Sequence, residues 1–295
     1  MKWEGVFPAI TTPFRNDFSI DHEFLARHAD WMIRAGCRGL VPLGSLGEGA
    51  TMSRQEKLDV LATCIRAAAG RVPVVAGIAA LSTAEASDLA RAAADAGCSG
   101  LMVLPPYVYR GDWRETAIHF RAVLNATRLP CMLYNNPIAY GTDVTPVQLA
   151  ELAGAPNLEA VKESSADVRR VAAIQEAAGR LAIFIGVDDL ILEGIQAGAV
   201  GWIAGLVNAL PEESVRLFDL AARGRIEEAR ALYRWFLPLL RLDTPPKFVQ
   251  LIKLVQEEVG MGSATVRPPR LGLSGQEREE TLTLIRETLK ARVHQ

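Results

Sequence analysis

The sequence predicts a parallel (β/α)8, or TIM, barrel with a helical extension at its C-terminal end, and two observations carry that prediction. The first is a repeated junction: RAGCRGLVPLG from Arg34, DAGCSGLMVLP from Asp95 and QAGAVGWIAGL from Gln196. Each copy ends a helix at Ala-Gly, where glycine supplies the left-handed cap, and a second glycine then opens an apolar, β-prone run. The second is the number of units. Eight apolar runs alternate with helical windows at about 30-residue spacing, which favours a closed ring over an open doubly wound sheet. No G-x-G-x-x-G follows the first run.

Taken in order, strands are expected near 6–10, 39–43, 74–78, 101–104, 131–135, 158–162, 182–186 and 201–204. The helices between and after them fall near 21–35, 53–69, 83–96, 112–126, 145–153, 167–178, 189–197 and 211–223. Ser53 with Glu56, Ser82 with Glu85, and Asp112 with Glu115 have capping-box spacing, and Thr145-Pro146 reads as a cap followed by proline at the first helical position. Beyond about residue 225 the strand signals stop. Three amphipathic helices separated by proline or glycine follow, so the expected division is a barrel over 1–224 and a three-helix extension over 225–295. The cluster from Trp235 to Leu240 serves either an oligomer contact or burial against the barrel itself.

Composition sets further bounds. With 295 residues, 49% of them hydrophobic and 22% charged, the chain can bury a large core. A formal charge of −2 leaves no basic excess to offset a phosphate backbone or an anionic leaflet, so neither nucleic acid nor membrane is an expected partner. The opening MKWEGVFPAITTPF lacks the unbroken apolar run of a signal peptide, and a cytoplasmic location is expected. Cys37, Cys64, Cys98 and Cys131 lie apart in apolar stretches and read as reduced core residues. His22, His28, His119 and His294 show no metal-like spacing.

Barrel active sites form at the C-terminal ends of the strands, which directs attention to four places. Lys162 follows Ala160 on one strand face, with Ser164 continuing it. If that face is the interior, burial favours the free amine that attacks a carbonyl or imine; the alternative is a lysine that snorkels to water. Tyr134 shares a face with Met132 and presents either a proton-relaying phenol or, as is more usual, a packed strand end. The loop Gly44-Ser45-Leu46-Gly47-Glu48-Gly49 is either a plain turn or a carboxylate cradle of backbone N–H groups and the Ser45 hydroxyl. Asp188, in GVDD from Gly186, orders the site mouth or caps the next helix, and capping is the stronger reading.

In this order GSLGEG, YNNP with Gly141 four residues after its proline, AVKESS and GVDD resemble the dihydrodipicolinate synthase / N-acetylneuraminate lyase family. GVFPAITTPF, the PPY at Pro105–Tyr107 and GWIAGLVN extend the resemblance along nearly the whole chain. It implies Lys162 as the Schiff-base lysine and Tyr134 as the proton-transferring phenol. Ser45 and the backbone of Leu46 would hold a substrate carboxylate, with the backbone of Gly186 and Ile203 lining the site. The expected ligand is a small 2-oxo acid or cyclic imino acid, without metal or organic cofactor, since the protonated imine is itself the electron sink. A homotetramer built from two dimers is expected.

Three positions depart from the synthases. Leu46 stands where they carry a second adjacent hydroxyl residue, and Val108 where they carry a second tyrosine, leaving Tyr107 or Tyr109 to substitute. Ala139 stands where they carry the arginine that binds a second carboxylate. Within the family, YNNPIAYG, VKESSADVRR, GVDDL and VRPPR look most like 1-pyrroline-4-hydroxy-2-carboxylate deaminase, with Asn136 available for the departing hydroxyl. The alternatives are a class I aldolase yielding pyruvate from a 2-keto-3-deoxy sugar acid or 4-hydroxy-2-oxo acid, dihydrodipicolinate synthase itself, and a non-catalytic barrel that binds a 2-oxo acid.

Overall fold

The computed structural model describes residues 1–292, so His294 lies outside the described residues. Strand β1 (Gly5–Pro8) leads to helices α1 (His22–Arg34) and α2 (Arg54–Ala68), and then β2 (Val75–Ile78), α3 (Thr83–Asp95), β3 (Gly100–Val103) and α4 (Trp113–Leu124) alternate. After β4 (Cys131–Asn135) come the one-turn α5 (Pro137–Tyr140) and α6 (Pro146–Leu152), then β5 (Leu158–Glu163), α7 (Arg169–Ala178), β6 (Ala182–Ile185), α8 (Ile191–Gln196), β7 (Gly201–Ala204) and α9 (Pro211–Ala222). Helices α10 (Ile226–Leu240), α11 (Phe248–Glu258) and α12 (Gly275–Lys290) complete the chain.

The seven strands run in the order β1-β7-β6-β5-β4-β3-β2, and neighbouring strands are parallel. The strand expected near 39–43 is reduced to two single bridges, Leu40 with Val74 and Val41 with Ala9. Those bridges still close the ring: the Val75 N–H donates to the Leu40 carbonyl and the Ile10 N–H to that of Val41. Pro42 has no N–H to extend the ladder, and Leu43 turns to a left-handed φ of 67°, which ends the extended segment there.

The second glycine of the repeated junction has a packing cause. A Cβ at Gly39 would stand 2.4 Å from the Phe7 ring, and one at Gly201 2.2 Å from that of Phe184. These two rings meet edge to face with centroids 5.2 Å apart, and they plug the interior below the C-terminal mouth. Outside the ring, Ser53 with Glu56 and Asp112 with Glu115 form complete capping boxes. The four cysteines are free and buried, and burial pushes each thiol up to about 12, which keeps them inert.

Part of the Trp235 cluster packs against the chain itself, while Trp235, Leu237 and Pro238 stay half-buried. Phe236, Leu239 and Leu240 are buried within the chain, and the Trp235 indole donates to the Thr288 carbonyl at 2.7 Å, joining α10 to α12. No helix among the described residues is long and apolar enough to cross a membrane.

Helix α11 also reaches the loop after the shortened strand. The Lys253 ammonium lies 2.6 Å from a Glu48 carboxylate oxygen and donates to the carbonyls of Thr12 and Thr265, each at 2.8 Å. Both charged side chains are almost wholly buried, at 2% and 0% exposure. Removing one partner strands the other charge in a dry interior, so Lys253→Met is expected to lose about 3–5 kcal/mol of stability, read by urea denaturation. The double replacement Lys253→Met with Glu48→Gln should recover part of that loss.

Candidate active site

The site begins with a register irregularity. Cys131 pairs with Leu158, but the next residue, Met132, pairs with Ala160, so β5 carries one extra residue at that point. This shift brings Tyr134 level with Lys162; without it Tyr134 would stand opposite Val161. Lys162 in turn pairs with Phe184 on β6, which puts Tyr134, Lys162 and Phe184 in one row inside the ring.

Lys162 is buried, and its Nζ lies over the face of the Tyr134 ring, 4.1 Å from the centroid. The negative face of the ring attracts the ammonium and fixes its position. The side chain has room because residue 186 is glycine: a Cβ there would fall 2.4 Å from the Lys162 Cε and 2.0 Å from the Ser164 Oγ. That Ser164 hydroxyl is buried and has no hydrogen-bond partner among the described residues. Ile203 lies inside the ring two strands away, paired with Phe7.

Outside the row, Asn135 and Glu163 lock the ends of β4 and β5 together. The Asn135 amide donates to Glu163 at 3.0 Å and accepts from the Val144 N–H at 2.9 Å, while Glu163 accepts from the Ser165 N–H at 2.6 Å. Burial raises the Glu163 carboxyl pKa, against the hydrogen bonds that lower it.

The tyrosines form a cluster that the sequence did not reveal. The Ser45 Oγ is hydrogen-bonded to the Tyr140 hydroxyl, not to that of Tyr134. The Tyr107 ring packs against that of Tyr140, their centroids 5.5 Å apart, and Tyr140 meets the Tyr134 ring edge to face at 5.6 Å. Burial, followed by the neighbouring phenols Tyr134 and Tyr107, raises the Tyr140 pKa well above its ordinary value. Of the two tyrosines offered as substitutes for the one missing at Val108, Tyr107 joins this cluster, whereas Tyr109 is exposed and bonds Glu115. The only sequence sign of Tyr140 was its place before Gly141, whose φ of 69° closes the one-turn helix α5.

Asn136 supports that turn. Its side-chain oxygen accepts from the Ala139 N–H at 2.9 Å, and its amide donates to the Tyr134 hydroxyl at 3.0 Å. The loop bearing Ser45 is held by Glu48 from behind and by Thr12, whose hydroxyl donates to the Gly47 carbonyl at 2.8 Å. No acceptor among the described residues takes the Leu46 N–H.

Asp188 does not cap the following helix. Its buried carboxylate accepts from the Trp202 indole at 2.9 Å and from the N–H groups of Gly205 and Leu206 at 3.1 and 2.7 Å, so it ties the end of β6 to the loop after β7. Burial raises its pKa to about 6, partly offset by those donors and by the charge of Lys162.

A buried lysine over a phenol ring near the C-terminal ends of a parallel barrel's strands is the arrangement that a class I Schiff-base enzyme requires. Residues 2–288 match the model of the dihydrodipicolinate synthetase family. The 4-hydroxy-tetrahydrodipicolinate synthase of Methanothrix thermoacetophila is 35% identical over 277 residues, covering 92% of each chain. A putative dihydrodipicolinate synthetase from Pseudomonas aeruginosa superposes with a TM-score of 0.92 at 31% identity, over 97% of this chain and all of its own. Dihydrodipicolinate synthase from Acinetobacter baumannii, solved with pyruvate, gives 0.91 at 29% identity, over 97% and 99%. The chain belongs to the dihydrodipicolinate synthetase family, a family of class I Schiff-base lyases and aldolases.

The close approach at Gly186 supplies a test. Gly186→Ala should push the Lys162 amine aside by about 1 Å and cut imine formation by about 10²-fold, with the fold retained by circular dichroism. Borohydride trapping of a pyruvate adduct measures it; an unchanged trapping rate would show that the lysine does not depend on that space.

Proposed function

We propose that the protein converts 1-pyrroline-4-hydroxy-2-carboxylate and water to 2-oxoglutarate semialdehyde and ammonia. The observation that carries this reading is Ala139. Its side chain offers no cation for a second carboxylate, and its N–H is taken by Asn136. A substrate with one carboxylate needs only the Ser45 hydroxyl and the free Leu46 N–H. Lys162 attacks the C2 imine carbon and opens the ring by transimination, with the backbone of Gly186 and Ile203 lining the pocket. Tyr134 aids loss of a C3 proton, the 4-hydroxyl leaves as water, and tautomerisation moves the double bond to C5 and nitrogen. Two hydrolyses then free ammonia at C5 and the lysine at C2, for a net uptake of one water. Asn136, expected at the departing hydroxyl, is better placed to hold Tyr134, since its amide is engaged there.

A second reading, condensation of pyruvate with an aldehyde bearing another carboxylate, draws on Arg110. A Cβ on Gly141 would meet its guanidinium carbon at 2.3 Å, so a cation does flank the loop that lacks one at position 139. The relatives named as synthases favour the same reading. A homotetramer built from two dimers belongs to the proposal too; it is supported by Val108, which at φ 72° presents an 84% exposed apolar side chain.

Incubation with the cyclic imino acid, coupled to an NAD(P)-dependent semialdehyde dehydrogenase and assayed for ammonia, should show turnover that Lys162→Ala abolishes. Consumption of pyruvate with aspartate semialdehyde, and no ammonia from the imino acid, would sink the deaminase reading in favour of the synthase. Release of pyruvate from a 2-keto-3-deoxy sugar acid would identify an aldolase.

A further inference from the structure

The groups named so far hold the imine and move the C3 proton, but none protonates the hydroxyl that leaves C4. We propose that Asp243, supplied by the C-terminal helices, is the general acid for that step; the identity of the leaving group rests on the deaminase reading.

Position comes first. Asp243 ends the 3-10 turn Arg241–Asp243 that follows α10. Its carboxyl lies directly against Gly205, where a Cβ would fall 2.2 Å from Oδ1 and 2.4 Å from Cγ. Gly205 is the first residue after β7, whose inward residues Gly201 and Ile203 are paired with Phe184 and Phe7, so Asp243 meets the barrel at the C-terminal end of that strand, where barrel active sites lie. Glycine at 205 therefore clears space for a carboxyl, as glycine at 186 clears space for the lysine stem. The segment is fixed in place: the Tyr233 hydroxyl donates to the Asp189 carbonyl, and the Arg241 guanidinium stands 3.8 Å from the Asp189 carboxylate.

Asp188 and Asp243 flank Gly205, yet their situations differ. Asp188 accepts from three donors and is spent on structure. No hydrogen-bond donor among the described residues reaches Asp243. The groups facing it are Asp188 and Asp189 from the turn after β6 and Lys162 from β5. Burial and then the Asp188 charge raise the Asp243 pKa well above its usual value, and Lys162 offsets this in part, so the carboxyl keeps its proton further towards neutral pH. In the strand order, Tyr134 on β4 lies on one flank of Lys162 and the Asp243 site over β7 on the other. A base for C3 and an acid for C4 thus approach the substrate from different sides.

The step balances as follows. The Tyr134 phenol passes the C3 proton to the amine freed by ring opening, giving up its own proton as it takes the one from C3, and the C3–H pair forms the C2=C3 enamine. The enamine nitrogen pair re-forms the iminium, the C2=C3 pair becomes C3=C4, and the C4–O pair departs with the Asp243 proton as water. The Asp243 carboxylate then takes a proton from C5, regenerating the acid and starting the tautomerisation towards the C5 imine.

The test uses the full-length protein with Asp243→Asn and Asp243→Glu. For Asp243→Asn, kcat for ammonia release is expected to fall about 10²–10⁴-fold. Borohydride trapping of pyruvate on Lys162 stays at the wild-type level. With the imino acid, the trapped Lys162 adduct is one water heavier than the dehydrated form, because the hydroxyl is still present. The wild-type kcat falls as pH rises through the raised range of the carboxyl; the Asn variant lacks that limb, and the Glu variant recovers part of the rate. Wild-type kcat in the Asn variant overturns the assignment, as does loss of the pyruvate adduct or equal failure of both variants. A wild-type protein that makes no ammonia defeats the deaminase reading first, and the assignment falls with it.

Discussion

The site depends on a long cationic side chain being threaded through a barrel interior that is otherwise tightly filled. Phe7 and Phe184 occupy the space below the mouth, and Lys162 lies in the same row as Phe184. It can do so because Gly186 contributes no Cβ and because the Tyr134 ring offers a surface that attracts an ammonium. Steric clearance on one side and attraction on the other leave the nitrogen little freedom. Such pre-positioning is what imine formation requires of a nucleophile.

The helices beyond the barrel belong to this arrangement. Through Lys253, α11 neutralises Glu48 and thereby steadies the loop that carries Ser45 and Leu46. On the opposite side of the chain's closing segment, the turn after α10 brings Asp243 over Gly205. The first places a compensated ion pair behind the loop and the second a carboxyl at the end of β7, both through groups far away in sequence. The desolvation cost of such groups is tolerable only where partners are fixed in advance, as Glu48 is by the Lys253 ammonium and the Arg267 N–H.

Much of the fold was legible because its causes are local. Caps at Ser53, Asp112 and Thr145 are satisfied within a single turn, and apolar runs such as 131–135 and 201–204 became strands at the expected bounds. The run near 39–43 kept its place but not its length, because Pro42 and the left-handed Leu43 interrupt it. Asp188 also escaped a local reading: capping spacing was present, but stronger donors waited at Trp202 in the next strand and at Leu206 just after it. Tyr140 escaped for a related reason, since the hydroxyl it bonds lies 95 residues away at Ser45.

By itself the sequence determined the alternation of strand and helix, the face on which Lys162 lies, and the motifs that mark its family, because periodicity and capping act over a few residues. Only the tertiary structure decided that Tyr134 stands level with Lys162, since that follows from one extra residue in β5 against β4. Only it brought Ser45 to Tyr140 and Asp243 to Gly205. Closing a ring sets the distances between strand ends, and no spacing along the chain encodes them.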